Sequence, residues 1–252
     1  MLASPIKARV ESMDWKSDTD AEFMGLDFYF EGSFGESPPP NKVFVFKPRR
    51  FLDIYAEVLG HSPTHKVFEL GIWRGGSAIL LAALFDVKKL VCIDLSDEVV
   101  SFDALRAEHP IGRRISPHYR TSQDDEAKLN AILDQEFDGP PDLIIDDASH
   151  LYGPSRASFE ILYPRLRPGG WYVIEDWAWA HAMLPIWPDE PSLAGLIFEL
   201  QLAMACNVLF DEVIVRREMV FFKKPLDAPV SCDRLNLTQL YTLHHRSPPL
   251  VK

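Results

Sequence analysis

KVFELGIWRGGSAILLAALFDVKKLVCID, residues 66–94, decides the fold. Val67-Phe68-Glu69-Leu70 is a short apolar run of strand type, and Gly71 breaks it. Gly75-Gly76-Ser77 opens a Leu- and Ala-rich helical run. Leu90-Val91-Cys92-Ile93 is a second buried strand, with Asp94 at its carboxyl end. Strand, glycine turn, helix, strand and acid make one βαβ half of a doubly wound sheet, its turn placed for a nucleotide-like ligand. A turn that serves only to start the helix is the plainer alternative, but it leaves the terminal acid without a purpose.

The ligand is narrowed by what stands in the turn. A dinucleotide fingerprint needs glycine at its first, third and sixth positions. Gly71 and Gly76 comply, but Trp73 takes the third, where the backbone must approach a pyrophosphate closely. NAD is disfavoured. Glu69 within the strand and Asp94, 23 residues past Gly71, suit a cofactor with an amino-acid end and a ribose. The pattern resembles the first two motifs of class I S-adenosylmethionine-dependent methyltransferases. That resemblance implies a Rossmann-like α/β fold: a mostly parallel seven-stranded sheet, an antiparallel last strand and helices on both faces. It also implies that Gly71, Gly75 and Ser77 wrap the methionine end of the cofactor while Asp94 accepts from the ribose hydroxyls.

The chain has 252 residues, enough to bury roughly 70% or more of its unfolded surface in one core. One α/β domain with trimmings is expected, over 47–224. Net charge −11 and a pI near 5.2 argue against nucleic acid, which needs a basic face. Apolar stretches stop short of the ~20 residues of a membrane span, and the first residues lack the pattern of a signal peptide. Cys92, Cys206 and Cys232 have neither disulfide nor zinc spacing. A cytoplasmic location is expected.

Residues 1–46 do not read as Rossmann core. The aromatic-rich piece 23–34 runs into Pro38-Pro39-Pro40, a linker or strap. Its large side chains need covering, and a lid over the active site or a contact in a homo-oligomer would each serve. A helix is expected over 48–60, with Phe51, Tyr55, Val58 and Leu59 on one face. Further on come a helix at 101–109, a weak strand at 115–119, a strand at 142–146, a helix at 154–165 and a strand at 171–174. A largely apolar helix at 192–206 and two adjacent strands at 210–216 and 219–223 complete the domain. Residues 225–252 form a polar, proline-punctuated tail with no assigned role. By the family resemblance Gln123 and Asp124, past the third strand of the sheet, meet the adenine ring. A solvated helix cap at Ser122 or Asp124 reads equally well.

Two strands of this sheet end in acids, Asp146-Asp147 and Glu175-Asp176, on the same edge as the glycine turn. Crowded carboxylates raise one another's pKa, so a cation must compensate. An all-oxygen set without cysteine suits a hard divalent ion such as Mg²⁺. Neighbours on a strand point to opposite sides, so Asp146 and Asp147 are not both ligands. Asp147, Glu175 and Asp176 are taken as the ligands and Asp146 as facing the cofactor. His150, three residues past Asp147, is placed to take a proton from a metal-acidified hydroxyl.

IDDASH, followed 25 residues later by IED, looks like the metal-dependent sugar O-methyltransferases of actinobacterial natural products, the mycinamicin type. It is also similar to chains often labelled cephalosporin hydroxylases. The resemblance runs from about residue 66 to 223 and implies Mg²⁺ on Asp147, Glu175 and Asp176, with His150 as the base beside Asp147. Ala148 departs from the family's usual glycine. The extra amino-terminal domain of the macrolide enzymes is not in this sequence, so their oligomer and macrolide pocket are not carried over. Compact relatives act on sugars of glycolipids and polysaccharides, including methylmannose polysaccharides. The expected acceptor is therefore a small-molecule glycoside or an oligosaccharide, and a catechol-like phenol is the alternative. An iron oxygenase wants two histidines and one carboxylate, which this pocket does not offer. A binding module without catalysis would leave the acids and histidine without a use.

Overall fold

The computed structural model describes residues 4–30, 39–182, 191–206 and 209–241. Helix α1 (Pro5–Glu11) leads into β1 (Asp14–Trp15), β2 (Asp20–Phe23), β3 (Leu26–Phe30) and β4 (Val43–Val45). α2 (Arg50–Val58) precedes the α/β alternation of β5 (Lys66–Leu70), α3 (Gly76–Leu84), β6 (Lys89–Ile93), α4 (Val100–Glu108) and β7 (Ile115–His118). Then follow α5 (Glu126–Glu136), β8 (Leu143–Asp146), α6 (Tyr152–Leu162), β9 (Trp171–Glu175) and α7 (Trp179–Ala182). α8 (Leu193–Cys206), β10 (Glu212–Val215), β11 (Met219–Lys223) and α9 (Leu237–Tyr241) close the described chain.

β5 to β11 form a seven-stranded sheet in the order β10-β11-β9-β8-β5-β6-β7. β11 runs antiparallel to both neighbours, and the paired strands from β9 across to β7 are parallel. This is the class I methyltransferase arrangement expected from the sequence. The order reverses between β5 and β8, and ligands of doubly wound sheets bind in the crevice outside the strand ends at such a point. Alternation along each strand fills both faces. Val67, Leu143, Ile145 and Val173 pack with α1 to α4, while Phe68, Ile144, Tyr172 and Ile174 pack with α5, α6, α8 and Leu237.

Before the proline run read as a linker or strap, the amino-terminal segment forms strands that were not expected. β1 to β4 make a second, four-stranded sheet, β3 and β4 pairing in parallel. Phe23, Leu26, Phe28, Phe30, Val43 and Val45 join the hydrophobic cluster of α2 and α3, so the described residues before 46 share that core. Residues 31–38, with Phe34 and Pro38, lie outside the described residues. Gly76 explains the join: a Cβ there would stand 1.8 Å from the Phe44 carbonyl oxygen, so only glycine lets β4 lie on the start of α3.

α5 was anticipated only through the helix cap read at Ser122 or Asp124. Asp125 caps it by accepting from the Lys128 amide at 3.1 Å, and its buried Leu129, Ile132 and Leu133 follow helical spacing. At the carboxyl end, Leu237 is buried and Arg234 bonds Glu160 at 2.9 Å, which fastens this stretch to α6. Among the described residues no helix is long and apolar enough to cross a membrane.

Candidate active site

The ends of β5, β8 and β9 meet at the switch point. Gly71 has φ +81°, and a Cβ on it would lie 2.4 Å from the Asp147 carbonyl oxygen. The glycine turn and the acidic loop are therefore in backbone contact. Gly75, at φ +78°, starts α3 and packs on the Phe102 ring, and Ser77 is buried in the first helical turn. Trp73 leaves the turn at φ 47° and rests on Phe44 and Phe46, ring centroids 5.5 and 5.4 Å away. Asp94 Oδ2 accepts from the Ile72 and Trp73 amides, both at 2.9 Å, and Oδ1 from Ser96 at 2.8 Å. Its carboxylate braces the turn from the neighbouring strand.

Glu69 is fully buried and neither of its carboxylate oxygens has a hydrogen-bond partner. Burial pushes its pKa up to about 8, the Ser77 side chain and the Lys47 charge opposing the rise and Asp147 and Glu175 adding to it. A carboxylate buried with so little to satisfy it is costly, and here it stands just before the glycine turn.

The acid pairs separate as strand alternation requires. Asp146 turns into the face packed by α6: it accepts from Ser158 Oγ at 2.7 Å and from Gln123 Nε2 at 3.1 Å. Burial raises its pKa to about 6. Gln123, expected at an adenine ring, is buried, and its Oε1 accepts from the Ser149 amide at 2.9 Å. Gln123 and Asp146 thus occupy each other and tie down the loop that carries Asp147 and His150. Asp124 is exposed and accepts from Ser122 Oγ at 2.5 Å.

Asp147, His150 and Asp176 each offer a ligand atom, all within 4.8 Å of one another. His150 Nε2 lies 3.9 Å from Asp147 Oδ1, and its ring meets Trp179 edge-on at 5.0 Å. Both His150 (φ 55°) and Asp176 (φ 49°) sit in the left-handed region, which costs about 1–3 kcal/mol per residue and turns each side chain back toward the crevice. Burial raises the pKa of Asp176, and nearby His150 works against that rise.

Glu175, the other expected ligand, is not in this group. It ends β9 on the opposite face from Ile174, fully buried, and its oxygens accept from Lys47 Nζ and the Tyr55 hydroxyl. By register Asp147 falls beside Glu175, on the face opposite Asp146 and Ile174, and the two acids share Lys47, whereas Asp176 follows the strand end at positive φ. Lys47 Nζ also lies 2.5 Å from Asp147 Oδ2. Burial disfavours its charge, yet Asp147 and Glu175 outweigh that and hold its pKa above the ordinary lysine value. Part of the cation that the acid crowding demanded is thus a residue of the chain. Sequence reasoning missed it, although a lysine after Phe44-Val45-Phe46 is a charge in an apolar run that needs an acid once buried.

Residues 68–177 match the family profile described as "Methyltransferase domain" (Methyltransf_24). The chain is 38% identical over 114 residues to an L-olivosyl-oleandolide 3-O-methyltransferase of Streptomyces antibioticus, covering 44% of this chain and 28% of that one. It is 34% identical over 118 residues to the mycinamicin VI 2''-O-methyltransferase of Micromonospora griseorubida, covering 44% and 27%. The chain thus spans under a third of the length of these curated relatives. Among solved structures it is similar to the MycE methyltransferase of the mycinamycin biosynthetic pathway, in complex with Mg, SAH and mycinamycin VI. That match has a TM-score of 0.54 and 25% identity, over 71% of this chain and 50% of the other. By its sheet order, its glycine turn and the matched profile, residues 68–177 of the chain are similar to the methyltransferase domain that this profile describes.

Proposed function

We propose that this protein is an S-adenosylmethionine- and Mg²⁺-dependent O-methyltransferase acting on a sugar hydroxyl of a glycoside. The observation that carries the reading is the placement of Asp147, His150 and Asp176 together beside the Gly71 turn at the switch point. The names of the matched relatives, O-methyltransferases of sugar-bearing natural products, support it.

The residues present fit both groups. The unpartnered buried carboxylate of Glu69 suits the ammonium of an amino-acid end, with the backbone from Gly71 to Ser77 around it and Asp94 on the ribose side. Bound S-adenosylmethionine supplies an electrophilic sulfonium methyl. Asp147 and Asp176 supply the oxygen donors for Mg²⁺. The bound ion supplies Lewis acidity that makes a sugar hydroxyl easier to deprotonate. His150, its ring held by Trp179, removes that proton at Nε2. The acid loop and the turn that it touches would hold the deprotonated acceptor oxygen near the sulfonium methyl, whose transfer to that oxygen would break the S–CH₃ bond and leave S-adenosylhomocysteine.

Glycosides, including methylmannoside oligosaccharides and polysaccharide fragments, are the acceptors to test, with catechols as the competing class. A methyl-transfer screen over both, with and without EDTA, is expected to yield a methylated glycoside only when Mg²⁺ is present. Transfer that ignores EDTA, or that goes to phenols alone, overturns this assignment.

A further inference from the structure

β10 is the outer strand of the seven-stranded sheet, and among the described residues no strand pairs with its free edge. The Arg216 amide donates to the Met219 carbonyl at 2.8 Å, across the turn that joins β10 to β11. Backbone groups alternate along a strand, so Ile214 faces β11 as Arg216 does, and the amides and carbonyls of Val213 and Val215 point outward. Exposed edges are commonly guarded by proline or by charges that would meet their own kind. This edge has neither. Residues 211–217 read Asp-Glu-Val-Ile-Val-Arg-Arg, with the acids before the apolar trio and the bases after it. Val215 within the trio is 42% exposed.

We propose that β10 pairs antiparallel with β10 of a second copy of this chain, joining the two sheets across a two-fold axis at Ile214. Val213 then meets Val215 of the second copy, and their outward amides and carbonyls bond one another. The same register sets Glu212 opposite Arg216 and Asp211 opposite Arg217, each pair formed twice across the axis. At net charge −11 two copies repel in general, so a self-pairing surface must supply opposite charge locally, and this strand supplies it to itself. Glu212 and Arg216 stand near Lys223 and Glu57 in exposed ion pairs, whose exchange costs little. α8, packed on the Val213 side, leaves Phe198 and Leu202 exposed one helical turn apart and adds apolar surface. The contact also reaches the site. The Arg216 carbonyl accepts from Trp177 Nε1 at 3.0 Å and the Glu218 carbonyl from the Asp176 amide at 2.6 Å, so pairing braces the turn behind Asp176.

The test is analytical ultracentrifugation of the purified full chain, with circular dichroism to establish that each variant is folded. The wild type is expected to sediment as a dimer at micromolar concentration. Glu212→Arg and Arg216→Glu alter side chains that are 48% and 35% exposed. Each sets like charges against one another twice across the axis and is expected to weaken the dimer about tenfold or more. The double variant inverts the pattern and restores its complement, so its dimer is expected within about threefold of the wild type. Damage to the fold from these charges would instead add in the double variant. Val215→Pro removes an outward amide without touching a bond to β11 and is expected to give monomers. Should Val215→Pro not fold, the charge series decides alone. A monomeric wild type overturns the proposal, as does a dimer that either single charge variant or a folded Val215→Pro leaves unchanged. A double variant that associates no better than the single ones overturns it too.

Discussion

Gly71 and Asp147 touch through their backbones: a Cβ at Gly71 would lie 2.4 Å from the Asp147 carbonyl oxygen and 2.6 Å from Ala148 Cα. One glycine therefore does two things. It turns the chain at positive φ toward the cofactor side, and it lets the acidic loop close against that turn. Gly71→Ala is expected to cost about 1–3 kcal/mol from the left-handed backbone alone. It also pushes the loop that carries Asp147. Chemical denaturation should show the stability loss, and Mg²⁺ titration a weakened site. A variant with wild-type values for both would mean that the contact has slack.

His150 stands beside both acids with its ring against Trp179, which defines what its loss should do. His150→Ala is expected to lower turnover by ~10²–10⁴, the usual contribution of a general base, with S-adenosylmethionine affinity unchanged. Steady-state kinetics and cofactor titration check this. Unchanged turnover removes His150 from the chemistry, and a matching loss of Mg²⁺ affinity would make it a ligand instead.

Glu69 makes stability depend on pH. Its folded pKa, raised by burial to about 8 from an ordinary 4.5, means that the folded state binds this proton more tightly than the unfolded chain. The stabilisation is thus complete below 4.5 and is lost as pH rises through about 8, by up to ~1.4 kcal/mol per pH unit in that window. Glu69→Gln has no such proton to lose. Denaturation of the unliganded proteins across this range should show the wild type falling more steeply than the variant. Parallel curves would contradict the assignment.

Gln123 links Asp146 to the Ser149 amide. Gln123→Leu leaves that amide and part of a buried carboxylate without a partner, at a cost of about 1–3 kcal/mol. The loop from Asp147 to His150 should loosen, so turnover should fall more than cofactor affinity. If adenine affinity collapses instead, Gln123 serves the cofactor directly.

Much of the sheet was legible because β5, β6, β8 and β9 are short apolar runs with a break behind each, while β7, Ile-Ser-Pro-His, read only weakly. The amino-terminal sheet was not. β1 has two residues and β2 four, and the aromatic residues of β3 read as surface to be covered rather than as a strand. Met24 and Gly25, both at positive φ between paired Phe23 and Leu26, form the tight turn that marks the hairpin, a signal carried by a single glycine. α5 was hidden by its charged residues, although Leu129, Ile132 and Leu133 keep the helical spacing. In the site, the strand-end acids and His150 could be read because chemistry-bearing residues cluster in sequence there. The meeting of Asp147 and Glu175 at Lys47 follows from the register of β8 against β9, which the sequence does not state. Lys47 meets Asp147 across 100 residues of chain, a pairing set by how β4 packs on α3.

The most direct test is a crystal structure of the full chain grown with S-adenosylhomocysteine and Mn²⁺, the ion located by its anomalous scattering. The account predicts one ion within about 2.3 Å of carboxylate oxygens of Asp147 and Asp176. It also predicts the amino end of the ligand against Glu69. An ion bound elsewhere, or crystals in which the Gly71 turn holds ligand while Asp147 and Asp176 hold no metal, would contradict it.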